Sequence, residues 1–236
     1  MTIAGLQKMT LLDYPGKVAC TVFLQGCNFR CPFCHNSDLL GNDGPEAIPV
    51  ETLLAFLKKR VGLLDAVCVT GGEPTLQKDL PELLKAIKDL GYLVKLDTNG
   101  GKPAVLKALV EAGLVDYVAM DIKNCPERYG ETAGVPAMSL ANIEESMGYL
   151  LSGAVDFEFR TTVADELHGE EEFLQIGQWL SRLSPEKKCP KFFIQPYVDR
   201  DSVLMGGLHT PTAEKLHAMA DRLKPFVEAV SIRALD

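Results

Sequence analysis

Three cysteines, Cys27, Cys31 and Cys34, fall within eight consecutive positions of a 236-residue chain that has seven in all. The spacing is C-x3-C-x2-C, which puts three thiolates on one short loop where they can converge on a single metal centre. Thiolates select zinc, copper(I) or iron-sulfur clusters over hard cations. Two centres fit the count: a Cys3His zinc site completed by His35, or a cubane cluster held by three cysteines with one iron left open. His35 is bonded directly to Cys34, whereas zinc ligands are ordinarily separated by two or more residues, so the open cluster is the better fit. Other groups of reactive or polar side chains recur along the chain: Gly71-Gly72-Glu73-Pro74, Asp97-Thr98-Asn99-Gly100, Asp121-Ile122-Lys123-Asn124, Arg160-Thr161-Thr162 and Gln195-Pro196-Tyr197. Each has a plainer reading as well, as a turn, a helix start or an exposed ion pair of small energy.

These groups lie in or at the ends of short apolar, β-branched runs, the pattern of strands buried on both faces in a parallel sheet. Strands are predicted at 18–25, 66–70, 92–98, 115–122, 155–163 and 191–197, with 227–232 as a short terminal strand. A polar, Gly-rich connection at 41–45 leads to the first of the intervening helices, predicted at 49–60, 76–90, 103–112, 140–151, 170–183 and 212–223; Gly91 and Gly113 read as C-caps. Six parallel β-α units can make an open doubly wound sheet or a barrel. A doubly wound sheet gathers its ligand residues at one switch point, but here they are spread over the C-terminal ends of five strands. The prediction is therefore α/β, a partial (βα)6 barrel with its site on that face. Period two along a strand also places Asp121 and Lys123 on one face, so that they reach into one site together.

With 47% apolar residues the chain reads as a single domain over 1–236. It has no apolar run of bilayer-crossing length and no secretory leader pattern, so the expectation is a soluble, cytoplasmic protein with no membrane partner. Seven cysteines in one cluster plus four singles do not form a disulfide framework, which suits a reducing compartment. A net charge of -8 argues against broad nucleic-acid binding. Cys20 and Cys68 read as buried apolar residues. Cys189 is placed before the sixth strand, away from the proposed site. Cys125 is expected on a solvent-facing loop, and His168, His209 and His217 on the surface.

The cysteine spacing, with Phe33 just before the last cysteine, resembles the signature of the radical S-adenosylmethionine enzymes. The run from Leu11-Leu12-Asp13-Tyr14-Pro15-Gly16-Lys17 through Cys34-His35-Asn36 resembles, more narrowly, the activating enzymes of glycyl-radical proteins, above all those of anaerobic ribonucleoside-triphosphate reductase. That resemblance implies a 4Fe-4S cluster on Cys27, Cys31 and Cys34 whose open iron chelates the amino and carboxylate groups of S-adenosylmethionine. It also implies the partial barrel. Gly71, Gly72 and Glu73 would contact the methionine amino group, two glycines suiting a close backbone approach, and the Phe33 backbone would lie against the adenine. Asp121 and Lys123 would help hold the amino and carboxylate groups. Asp97, Thr98 and Asp121 match positions that surround a monovalent cation in some relatives. Arg160 would either contact the cofactor or cap the barrel rim.

Related formate-lyase activating enzymes carry a histidine after Pro-Tyr, where this chain has Val198; Gln195 is the expected replacement for its contact. The implied reaction is reductive cleavage of S-adenosylmethionine, with flavodoxin or ferredoxin as electron donor and a glycyl radical formed on another chain. Two alternatives stand beside it: a small-molecule enzyme such as 7-carboxy-7-deazaguanine synthase, and a zinc module without redox chemistry.

Overall fold

A computed structural model describes residues 1–41, 46–200 and 202–233. Residues 42–45 of the predicted Gly-rich connection lie outside the described residues. The chain forms an α/β sheet of eight strands whose order follows the sequence. It divides into two compact units, one made of Met1–Asn28, Asn36–Thr98 and Lys102–Ala119, the other of Phe29–His35, Asn99–Gly101 and the chain from Met120 onward.

In the first unit, β1 (Ile3–Thr10) pairs antiparallel with β2 (Ala19–Leu24), and β2, β3 (Ala66–Gly71) and β4 (Leu93–Thr98) run parallel. Ala19, Ala66 and Leu93 are aligned across the three parallel strands. Helices α1 (Val50–Lys58), α2 (Leu80–Asp89) and α3 (Pro103–Glu111) cover the sheet. Leu53 and Leu57, Leu80, Leu83, Leu84 and Ile87, and Leu106 and Leu109 supply their buried faces. Each such side chain contributes about 1.5–3 kcal/mol by leaving water.

The strand β1 is an addition to the prediction. Gly5, Gln7 and Lys8 interrupt its apolar pattern, and Gln7–Met9 are exposed. It exists because β2 offers an edge of unpaired N–H and C=O groups, which a neighbouring extended segment satisfies. No local sequence signal is needed for that.

The second unit begins within β5 (Tyr117–Asp121), which straddles the boundary. A 3-10 turn at Pro126–Arg128 and the five-residue α4 (Tyr129–Ala133) follow, too short to leave a helical period in the sequence. The predicted alternation then resumes with α5 (Ala141–Leu151), β6 (Asp156–Val163), α6 (Glu170–Leu183), β7 (Cys189–Pro196), α7 (Ala213–Leu223) and β8 (Val227–Ile232). β6, β7 and β8 are parallel, with Thr162 opposite Gln195 and Ile194 opposite Ile232. The Thr212 hydroxyl caps α7 by accepting from the Lys215 N–H at 3.3 Å, and Glu172 accepts the Gly169 N–H at 3.0 Å where α6 begins. Cys189 is the first residue of β7 and is buried, rather than preceding the strand.

Candidate active site

In the first unit, the end of β3 is stitched to the end of β2, where Cys27 follows. Gly72 donates to the Leu24 carbonyl and Glu73 to the Gly26 carbonyl, both at 2.8 Å, and the Gln77 amide reaches the Gln25 carbonyl at 2.7 Å. The Asn36 side chain donates to the Gly71 carbonyl at 3.2 Å. Both glycines are required by this approach. Gly71 has φ +125°, and a Cβ there would stand 2.2 Å from the Leu24 oxygen; one on Gly72 would stand 2.1 Å from the Gly26 oxygen. The close approach is thus to the chain's own backbone at the entry to the cysteine loop, not only to a ligand.

Glu73 is fully buried, and its Oε1 accepts from the Thr75 N–H at 3.1 Å, from the Thr75 hydroxyl and from the Thr98 hydroxyl at 2.8 Å. These bonds hold the carboxylate in one orientation at the junction of β3 and β4. Asp97 pairs with Lys95, which is buried within β4. Lys95 was missed as a site residue, although a lysine in an apolar strand is itself a signal, because buried charges are normally paired.

In the second unit, the Cys34 N–H donates to the Cys31 carbonyl at 3.1 Å, so these cysteines bracket a tight turn. Arg30 donates to the Ala133 carbonyl at 2.9 Å and Met205 to the Pro32 carbonyl at 3.0 Å, anchoring the loop on both sides. The Ser202 hydroxyl bonds the His35 carbonyl at 2.9 Å. His35 stacks on Tyr197, with ring centroids 5.7 Å apart, and its Nε2 donates to the Val198 carbonyl at 2.7 Å.

Asp121, at the end of β5, receives the ammonium of Lys123 at 2.8 Å on one oxygen and the guanidinium of Arg160 from β6 on the other. Burial opposes ionisation of Asp121, but Arg160 and Lys123 outweigh it and hold its carboxyl well below the usual carboxylate range. Burial likewise opposes the charge on Lys123, yet Asp121 and the Cys31 sulfur hold the amine above its ordinary value. Phe33 is buried between the two cysteines in sequence, its ring centroid 6.1 Å from that of His168. Gln195 lies half-buried at the end of β7.

Two expectations change here. Cys125 is buried rather than solvent-facing, because the Pro126–Arg128 turn and α4 fold over it; burial raises its thiol pKa. Cys20 and Cys68 are buried as expected, and burial pushes Cys20 up to about 12. His168 is buried rather than on the surface, because the segment after β6 folds inward and backbone groups occupy both ring nitrogens. Burial lowers its pKa, so the ring is neutral at pH 7. His209 is exposed, as expected.

The structure brings Glu73 together with Thr98, and Asp121 with Lys123 and Arg160; Asp97 goes instead with Lys95. None of the seven cysteines is in a disulfide. Among the described residues, no three Cys, His, Asp or Glu side chains are already gathered tightly enough to hold a metal ion.

The radical SAM superfamily model matches residues 21–172, from β2 through the start of α6. The chain belongs to the radical SAM superfamily. Members work with a 4Fe-4S cluster and S-adenosylmethionine, and this radical SAM protein is an enzyme of radical chemistry. Its donor set fits the cluster: three thiols on an anchored eight-residue loop, with a cation beside Cys31.

A protein of Methanocaldococcus jannaschii named as a glycyl-radical enzyme activating enzyme is 30% identical over 243 aligned positions, covering 99% of this chain and 96% of its own length. Pyruvate formate-lyase-activating enzyme of Clostridium pasteurianum is 33% identical over 127 positions, 52% of each chain. Among solved structures, a radical SAM methyltransferase from Sphaerobacter thermophilus superposes with a TM-score of 0.71 at 14% identity, over 95% of this chain and 68% of that one. The last likeness concerns the fold alone. No helix among the described residues is long and apolar enough to cross a membrane.

Proposed function

We propose that this radical SAM protein is an activating enzyme that generates a glycyl radical on a partner enzyme, with anaerobic ribonucleoside-triphosphate reductase as the partner. The observation that carries the reading is the end-to-end match to the Methanocaldococcus jannaschii protein, which leaves little of either chain unaccounted for. The Leu11–Lys17 lead-in supports the narrower choice of partner. A flavodoxin or ferredoxin supplies the electron, and the cytoplasm supplies both proteins.

Cys27, Cys31 and Cys34 hold the cluster. When bound, the cluster supplies one electron that splits S-adenosylmethionine into methionine and a 5′-deoxyadenosyl radical, which takes a hydrogen atom from the target glycine. The chain's own residues receive and orient the ligand. In the first unit Glu73 and Asp97 against Lys95 give a net formal charge of -1; in the second, Lys123 and Arg160 against Asp121 give +1. An acidic set suits an amino group and a basic set a carboxylate, the two charged groups that a methionine moiety carries. Lys123 takes the carboxylate, Asp121 holds Lys123 while Arg160 fixes Asp121 from the other side, and Glu73 takes the amino group while Thr98 fixes its orientation. Phe33 and Gln195 serve the nucleoside end, and Gly71 and Gly72 let the ligand-binding turn close on the cysteine loop.

The deciding experiment is anaerobic. The reconstituted protein is reduced with S-adenosylmethionine and anaerobic ribonucleotide reductase, the electron paramagnetic resonance spectrum is recorded and 5′-deoxyadenosine is quantified. A glycyl-radical doublet with matching deoxyadenosine is the expected result. Deoxyadenosine without the doublet overturns the partner and points to a small-molecule substrate. Zinc without iron or acid-labile sulfide overturns the cluster itself. Cys31→Ala is expected to lose iron and all deoxyadenosine formation.

A further inference from the structure

His168 is a buried titratable group outside the described charge sets. It follows β6, is 3% exposed, and has no role in the reaction as set out above. Its Nδ1 lies 3.3 Å from both the N–H and the carbonyl oxygen of Ala164, and its Nε2 lies 2.9 Å from the carbonyl oxygen of Lys123. A carbonyl only accepts, so Nε2 must carry a proton. In the neutral ring Nδ1 then accepts the Ala164 N–H, and one tautomer satisfies both ends. The opposite tautomer would set a lone pair against the Lys123 oxygen.

The ring also joins two other parts of the second unit. Phe33 lies 6.1 Å away on the cysteine loop, and Phe173 of α6 lies 6.5 Å away, itself 6.3 Å from Phe192 of β7. Asn124 repeats the connection one residue along, donating to the Leu167 carbonyl and the Thr132 hydroxyl at 2.9 Å each. Residues 123 and 124 are thereby tied to 164–168 through their backbone and side chain. Lys123 lies two residues beyond Asp121, the last residue of β5.

We propose that His168 is a positioning residue that sets where the Lys123 ammonium stands, holding the Lys123 backbone through its Nε2–H. This rests on the reading of Lys123 as a ligand for the S-adenosylmethionine carboxylate. A carbonyl held by a buried donor restricts ψ of its own residue, so the side-chain base moves less and the ammonium arrives pre-oriented.

The test separates the hydrogen bond from the ring. His168→Phe keeps a ring against Phe33 and loses the donor; His168→Gln keeps a donor at the Nε2 position and loses the ring. S-adenosylmethionine binding to the reconstituted, unreduced protein is measured by calorimetry, with iron and sulfide content and thermal midpoint alongside. His168→Phe is expected to weaken binding about five- to tenfold with full iron content. Its KM for S-adenosylmethionine rises by the same factor while kcat holds, and His168→Gln restores binding.

A purely structural role would lower iron content and thermal midpoint in both variants alike, and that result overturns the proposal. Unchanged affinity in His168→Phe, beside weakened affinity in Lys123→Ala, also overturns it and leaves the ligand role of Lys123 standing. Unchanged affinity in Lys123→Ala removes that role and this proposal with it. Should His168→Phe not fold, His168→Asn asks the same question, because its shorter amide does not reach the Lys123 oxygen: weakened binding supports the proposal and unchanged binding overturns it.

Discussion

The end of β4 and the end of β5 carry the same two residue types at the same spacing in opposite order. β4 reads Lys95-x-Asp97 and β5 runs out as Asp121-x-Lys123, and both are ion pairs. Two residues along a strand cover about 6.6 Å on one face, so the order decides which charge stands nearer the C-terminal end. At β4 the lysine is the inner member, 1% exposed, and the acid is the outer. At β5 the acid closes the strand, 27% exposed, and the lysine lies beyond the strand end, 14% exposed. Asp121 also receives Arg160, which leaves that set with an excess cation. One pairing chemistry thus takes two forms: a lysine within the strand that neutralises its acid, and a lysine past the strand end that shares its acid with an arginine.

Replacing the lysine in each pair separates those roles. Lys95→Met takes the buried ammonium away from Asp97 and is expected to cost about 3 kcal/mol of stability, read as a lower thermal midpoint. The further change Asp97→Leu should return part of that loss. A Lys95→Met protein with an unchanged midpoint would make the two lysines equivalent and end the comparison. Lys123→Ala should leave the midpoint nearly unaltered, because Asp121 keeps Arg160, while S-adenosylmethionine affinity falls about tenfold.

The pH dependence sharpens the same contrast. The carboxyl of Asp121 is held below its unfolded value, so its contribution to stability is complete above the ordinary carboxylate range and is lost as pH falls through and below about 4. Asp121→Asn should flatten that acid limb of a midpoint-against-pH curve, and a parallel curve would contradict it. The smallest effect belongs to an exposed pair. Hydrogen bonding to Glu166 raises the His209 pKa, so its contribution is present below about pH 6.5 and fades as pH rises through the raised value. His209→Ala should shift the midpoint by less than about 1 °C at pH 6 and by less still at pH 8.

Much of this molecule was legible because its signals are local. The thiol spacing, the apolar runs of β2 to β7 and the helical periods of α1 to α3 and α5 to α7 each lie within a few residues, and they place reactive groups at strand ends without knowledge of the pairing. Residues 227–232 and 170–183 matched their elements at both ends. Period two likewise made Asp121 and Lys123 partners before any distance was known. The radical SAM family follows from this local layer.

What only the tertiary structure decided are the contacts made across large sequence separations. β1 forms because β2 has an edge to satisfy. Gly71 and Gly72 are glycines because Leu24 and Gly26 occupy the space of a Cβ. Arg160 joins Asp121 from 39 residues away. His168, polar in a polar segment, looks like surface until the fold carries it under Lys123 and against Phe33, 135 residues earlier in the chain. Sequence pattern reports which face a side chain takes on its own element; burial and partnership depend on which other elements arrive, and that is settled by packing.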